Sequence, residues 1–129
     1  MIPRYRMWNR ITSQLHLVDG LYFDDKEAEY VDDDNVLRFI GFKNIELMQS
    51  TGLKDKNGKE IFEGDVVRQV RTQPTTENET ITGVVTMLEG AWLIMNDCEQ
   101  LASYLWSETD ENEIIGNIYE NPELLEEKE

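Results

Sequence analysis

The stretch TGLKDKNGKEIFEGDVV, Thr51 to Val67, packs glycines, an Asn-Gly pair and alternating charges into seventeen residues. Either it cradles a ligand or it folds the chain back on itself. A two-residue turn at Asn57-Gly58 would set Lys56 against Lys59 and Asp55 against Glu60, two like-charge pairs that are unfavourable when directly opposed. A type I turn starting at Asp55, with Gly58 in the left-handed position of a bulge, sets Asp55 against Lys59, Lys54 against Glu60 and Leu53 against Ile61. Every pair is then complementary, so the second register is expected. Glu63-Gly64-Asp65 makes another turn, and VVRQVR begins a strand. The glycine spacing matches no phosphate-binding fingerprint. The segment reads as a fold-back.

Downstream, β-branched residues dominate. TITGVVTML (80–88) and AWLIMN (91–96) form a hairpin around Glu89-Gly90, and Gly83 suggests a bend or bulge where a small sheet must curl. LASYLW (101–106) and EIIGNIY (113–119) supply two more strands. With 65–71 these make five short strands, the first loop (72–79, with Pro74) long and polar and the later turns tight. The fold class expected is mainly β: an SH3-like small barrel of about five strands with an N-terminal β subdomain. Upstream, IPRYRMW alternates Tyr5 and Met7 with Arg4, Arg6 and Trp8, a strand pattern. LHLV, LYFDD, KEAEYV and VLRFIGF follow, with a turn at Asp32-Asp33-Asp34-Asn35. The domains expected are residues 1–47, the N-terminal β subdomain; 48–120, the barrel; and 121–129, an acidic tail. In the tail, Asn121 and Pro122 favour a short helical turn.

The 129 residues suffice for one domain, or one with a small subdomain. A formal charge of −15, from 27 acids against 12 bases, repels phosphate backbones and would steer basic partners toward the chain. One cysteine, Cys98, excludes an internal disulfide and points to a reducing compartment. No basic-then-apolar leader opens the sequence, and the longest apolar run, Ala91 to Met95, is far too short to cross a membrane. The expectation is a cytoplasmic protein with no membrane partner.

Candidate chemistry is sparse. His16, the only histidine, sits in a strand-like run without a partner at metal-ligand spacing. Cys98 lies between Asp97 and Glu99, whose charges raise a thiol pKa and blunt its reactivity. DDDNVLRFIGFKNIE offers oxygens, yet counting from Asp32 the sixth position is Leu37 and the twelfth Lys43, where a calcium loop needs glycine and glutamate. No catalytic, cofactor-binding or metal-ligating residue is assigned, no cofactor is expected, and an enzyme is disfavoured.

Charge is unevenly spread. Arg4, Arg6 and Arg10 precede the first acid, Asp19, while Glu108 to Glu129 carry nine acids against Lys128 alone. The stripe Arg4, Tyr5, Arg6, Trp8, Arg10 has the composition of a nucleic-acid surface. Three arginines against −15 make a weak funnel, so pairing with the chain's own acids is the favoured reading and nucleic acid the disfavoured partner.

Three blocks carry a family likeness: IPRYRMW, ELMQSTGLKDKNGKEIFEGDVV and EIIGNIYENPELL. In these, which frame nearly the whole chain, the sequence resembles the YopX protein family of phages and prophages in Gram-positive bacteria. The resemblance implies a mainly β fold with an SH3-like barrel and a place in the bacterial cytoplasm, and it brings no catalytic residues. The function expected is a non-catalytic phage or prophage accessory protein acting through protein–protein contacts or homo-oligomerisation. Two alternatives stand beside it: an acidic decoy mimicking nucleic acid toward a basic host protein, with carboxylate runs at 24–34 and 108–129, and a weak nucleic-acid-binding module using the N-terminal arginines.

Overall fold

The computed structural model describes residues 4–71, 79–96, 101–106 and 110–125. Among them the chain is mainly β, with two short 3-10 turns (Phe42–Asn44 and Pro122–Leu125) as its only helical pieces. Two compact units divide between Ser50 and Thr51.

In the first unit, β1 (Tyr5–Asn9) pairs antiparallel with β2 (Gln14–Leu17) on one side and, on the other, with the long strand β6 (Ile45–Lys54). Three further strands, β3 (Gly20–Tyr22), β4 (Glu27–Val31) and β5 (Leu37–Gly41), form a meander. Alternation decides which face is buried. Met7 from β1, Ala28 and Tyr30 from β4, Ile40 from β5 and Ile45 from β6 make the core, with Val18, Leu21 and Phe42 packed against it. The turn foreseen at Asp32 to Asn35 joins β4 to β5, with Asn35 at φ +64°.

The second unit begins with the fold-back. The end of β6 turns at Asp55 into β7 (Glu60–Phe62). The Asp55 amide donates to the Lys59 carbonyl at 2.8 Å, the Gly58 amide to the Asp55 carbonyl at 3.0 Å, and Gly58 sits at φ +82°. Asp55 therefore faces Lys59 with a left-handed glycine, the register that charge pairing selects. The second turn follows, with Gly64 at φ +87° and the Asp65 carboxylate accepting the Phe62 amide at 2.8 Å.

Five strands then build one sheet: β8 (Asp65–Arg71), β9 (Glu79–Leu88), β10 (Ala91–Asn96), β11 (Leu101–Tyr104) and β12 (Glu111–Asn117). Their order is β11-β10-β9-β8-β12, so four strands meander and the fifth returns to pair with the first. The sheet curls into a half-barrel around Ile61, Val67, Val85, Ile94 and Leu105, an arrangement consistent with the SH3-like expectation. Gly83 is not a bulge toward β8, since it pairs in register with Val67. A Cβ there would lie 2.6 Å from the Met95 carbonyl oxygen, so glycine lets two strand backbones approach. The register shift falls instead between Ile114 and Gly116 in β12.

Side chains tie the two edge strands together. Fully buried Gln69 in β8 donates from Nε2 to the Tyr104 carbonyl and Asn112 Oδ1, both at 3.0 Å, and its Oε1 accepts the Ser103 hydroxyl at 2.8 Å. Asn112 Nδ2 closes the circuit on the Leu105 carbonyl at 2.7 Å. Each such bond contributes only about 1 kcal/mol net, but a buried group left without a partner costs about 1–3 kcal/mol, so the network specifies the curl.

Asn121 does not cap the tail turn from its side chain as foreseen. Its Oδ1 accepts the Asn117 amide at 3.3 Å, and its main-chain carbonyl serves the Leu124 amide. Residues 72–78 of the loop expected at 72–79, Cys98 and residues 126–129 of the tail lie outside the described residues.

Candidate functional site

Leu105 and its neighbours set up a surface groove in the second unit. The Leu105 amide donates to the Trp92 carbonyl at 3.1 Å, extending the β10–β11 ladder one residue beyond Tyr104. Leu105 is thereby fixed pointing into the core, and the pleat turns Tyr104 and Trp106 outward. They stand 69% and 62% exposed and, unlike singly scattered apolar residues, adjoin one groove. Beneath them Leu53 and Trp92 pack on the core cluster, so the groove floor is anchored. The groove holds about 430 Å³ and is lined by Leu53, Ala91, Trp92, Tyr104 and Trp106. A second depression of about 300 Å³ shares Leu53 and Trp106 and runs toward the fold-back tip, past Lys54, Lys56, Asp110 and Glu111. Lys56 is held by Glu113 at 3.5 Å, and Glu113 also pairs with Arg68; the Arg68 hydrogen bond first, then Lys56, keep its carboxyl below the usual range. The lining offers apolar contact and a mixed-charge rim, and no group poised for bond-making.

In the first unit a cleft of about 580 Å³ opens between the β1–β2 turn and the β4–β5 turn. Here the structure joins two features that the sequence presents separately. The His16 ring lies 4.7 Å from the Tyr30 ring, and both line the cleft with Asp32, Asp33, Asp34 and Arg38. Asp32 is committed to the turn: its Oδ1 accepts the Asp34 and Val36 amides at 2.9 Å, and its Oδ2 accepts Arg38 Nε at 2.5 Å. The Arg38 hydrogen bond, helped by the Val36 amide, holds its carboxyl below the ordinary value. Both its oxygens are thus engaged within the hairpin, and among the described residues no three His, Cys, Asp or Glu are grouped to hold a metal ion.

The N-terminal arginines do not form a free basic stripe. Arg10 pairs with Glu46 and donates to the Lys43 carbonyl, and Arg6 reaches the Met48 sulfur at 3.5 Å. Arg4 also has interactions within the structure. Cys98 lies outside the described residues, and no helix among the described ones is long and apolar enough to cross a membrane. Sequence reasoning passed over Trp92, Tyr104 and Trp106. A signal was present: Tyr104 and Trp106 stand two apart around Leu105, which in a strand places both on one face.

Similarity to known proteins follows the fold. The family described as YopX protein matches residues 4–126. Two solved structures are similar along nearly their whole length. Protein EF1440 from Enterococcus faecalis is 28% identical, with a TM-score of 0.62 over 98% of this chain and 99% of its own. Protein yopX from Bacillus subtilis is 23% identical, with a TM-score of 0.63 over 95% and 98%, and bears on the fold alone. None of the curated proteins is similar to the chain. No catalytic family is among these likenesses.

Proposed function

The chain belongs to the YopX family, and from that premise we propose a non-catalytic accessory protein of a phage or prophage, acting in the bacterial cytoplasm by contact with another protein. The contact surface is the aromatic groove of the second unit. The observation that carries this reading is the outward pair Tyr104 and Trp106 above a floor of Leu53 and Trp92. Tyrosine and tryptophan anchors in an apolar depression are what interface hot spots are built from, since they bury large area at low entropic cost. Charge selects the occupant. At −15 a second copy carries the same net charge and is disfavoured at long range, whereas a basic segment is drawn in and its cations can rest on the exposed rings.

The reading as a nucleic-acid module is weakened because Arg10 is spent on Glu46. The acidic-decoy reading shares the basic partner but needs the carboxylate runs rather than the two aromatics, so variants separate them. Displayed random peptides selected on the whole protein are expected to pair Lys or Arg with apolar residues. Trp106→Ala and Tyr104→Ala should each weaken the selected peptides by about tenfold or more, read by fluorescence titration. Peptides that bind both variants as they bind the parent would overturn the proposal. So would a discrete dimer in solution that Trp106→Ala dissociates.

A further inference from the structure

The cleft of the first unit holds polar groups that the fold itself leaves unused. Asn9 is only 2% exposed; its Oδ1 accepts the Ile11 and Thr12 amides at 2.9 and 3.2 Å, and its Nδ2 donates to nothing among the described residues. Tyr30 is 6% exposed, and its hydroxyl makes no hydrogen bond among the described residues. Both residues line the cleft. Neither atom is sealed from solvent: the two side chains are packed into the wall and their unpaired polar atoms reach the open cleft, where a ligand can replace the water that otherwise meets them.

The lining states the ligand's character. Three aspartates, Asp32, Asp33 and Asp34, stand against one arginine, Arg38. Asp32 and Arg38 neutralise each other at 2.5 Å, which leaves the exposed carboxylates of Asp33 and Asp34 on the rim. An anion is repelled there and a cation drawn in. Exposed Phe39 and Ile11 add apolar area at the mouth beside the stacked His16 and Tyr30. A planar guanidinium suits this lining better than an ammonium, because it stacks on ring faces while its fork meets carboxylates. Asn9 Nδ2 needs an acceptor, which a peptide carbonyl provides. The volume lies within the roughly 300–1,000 Å³ of small-ligand sites.

We propose that this cleft binds an arginine side chain presented by a peptide segment, its guanidinium between Asp33, Asp34 and the aromatic wall and a neighbouring carbonyl on Asn9 and Tyr30. The site is independent of the groove in the second unit.

The test uses the whole ¹⁵N-labelled protein titrated with acetyl-Gly-Arg-Gly-amide and with its citrulline counterpart, which keeps shape and loses charge. The expected result is saturable shifts of the Ile11, Thr12, His16, Asp34 and Phe39 amides with the arginine peptide, and at least about tenfold weaker binding of the citrulline peptide. The double substitution Asp33→Asn with Asp34→Asn, on exposed positions, should weaken the arginine peptide by a similar factor while the rest of the spectrum stays in place. Tyr30→Phe, which keeps the ring, should weaken both peptides. Equal affinity for citrulline, shifts spread over remote acids such as Asp24 and Glu120, or no saturation would overturn the proposal.

Discussion

The chain builds the same turn twice. In DDDNV (32–36) and in DKNGK (55–59), the first residue is an aspartate whose amide bonds the fifth residue's carbonyl, at 2.9 and 2.8 Å. In each, the aspartate Oδ1 accepts the amides of the third and fifth residues, at 2.9 Å in all four bonds, and the fourth residue is left-handed. The turns differ in where the second oxygen goes. Asp32 Oδ2 meets a surface arginine of the same hairpin, whereas Asp55 Oδ2 accepts the amide of Ile114, a strand 59 positions away, at 3.1 Å. The Lys56 amide adds a bond to the Asn112 carbonyl at 2.9 Å. One turn stays a local device at the rim of an open cleft; the other buries its aspartate and holds the fold-back on β12. The difference teaches that local turn chemistry sets the shape and the outer oxygen sets the role.

Removing each aspartate separates the roles most sharply. Asp55→Ala strands three amides, one of them in the partly buried strand β12, and should cost about 3 kcal/mol in urea unfolding. Asp32→Ala, at an exposed turn, should cost clearly less. Equal losses would break the comparison.

Acid gives the next effect. Burial would by itself raise the Asp55 carboxyl, but the amides of Ile114, Lys59 and Asn57 outweigh it and hold it below the ordinary value. The folded chain therefore keeps Asp55 ionised to lower pH than the unfolded chain does. Its contribution is complete above about pH 4 and is lost as pH falls through the lower folded value. The parent should lose stability on acidification more steeply than Asp55→Asn. Asp32 is lowered too, chiefly by Arg38, so Asp32→Asn should flatten the same limb by less.

The fourth turn residue gives the smallest effects. Gly58→Ala forces a Cβ into φ +82° and should cost about 1 kcal/mol, though nothing lies within 4 Å to clash with it. Asn35→Gly, at φ +64°, should change stability by a few tenths of a kcal/mol.

What the sequence discloses follows the same division between local and distant. The Asp55 register was legible because the charge pairing and the glycine lie within a few residues. The strand at Ala91–Asn96 was legible because a hairpin signal and an apolar run bound it. β12 ends at Asn117 rather than 119 because the Asn117 Oδ1 accepts the Tyr119 and Glu120 amides, so a side chain competes with the ladder. The groove was not legible, since it needs Leu53 and Trp92 brought together beneath Tyr104 and Trp106. Nor was the cleft: His16 and the Asp32 turn are each unremarkable in sequence, and only the facing of two hairpin turns places them on one cavity.

The three tryptophans offer the most direct test of contact through the groove. Trp92 and Trp106 line it, and Trp8 lies in the first unit. In a titration of the labelled protein with a basic peptide selected on it, the indole N–H signals of Trp92 and Trp106 should shift and saturate together while that of Trp8 stays still. Saturable binding that leaves Trp92 and Trp106 unmoved would contradict the account.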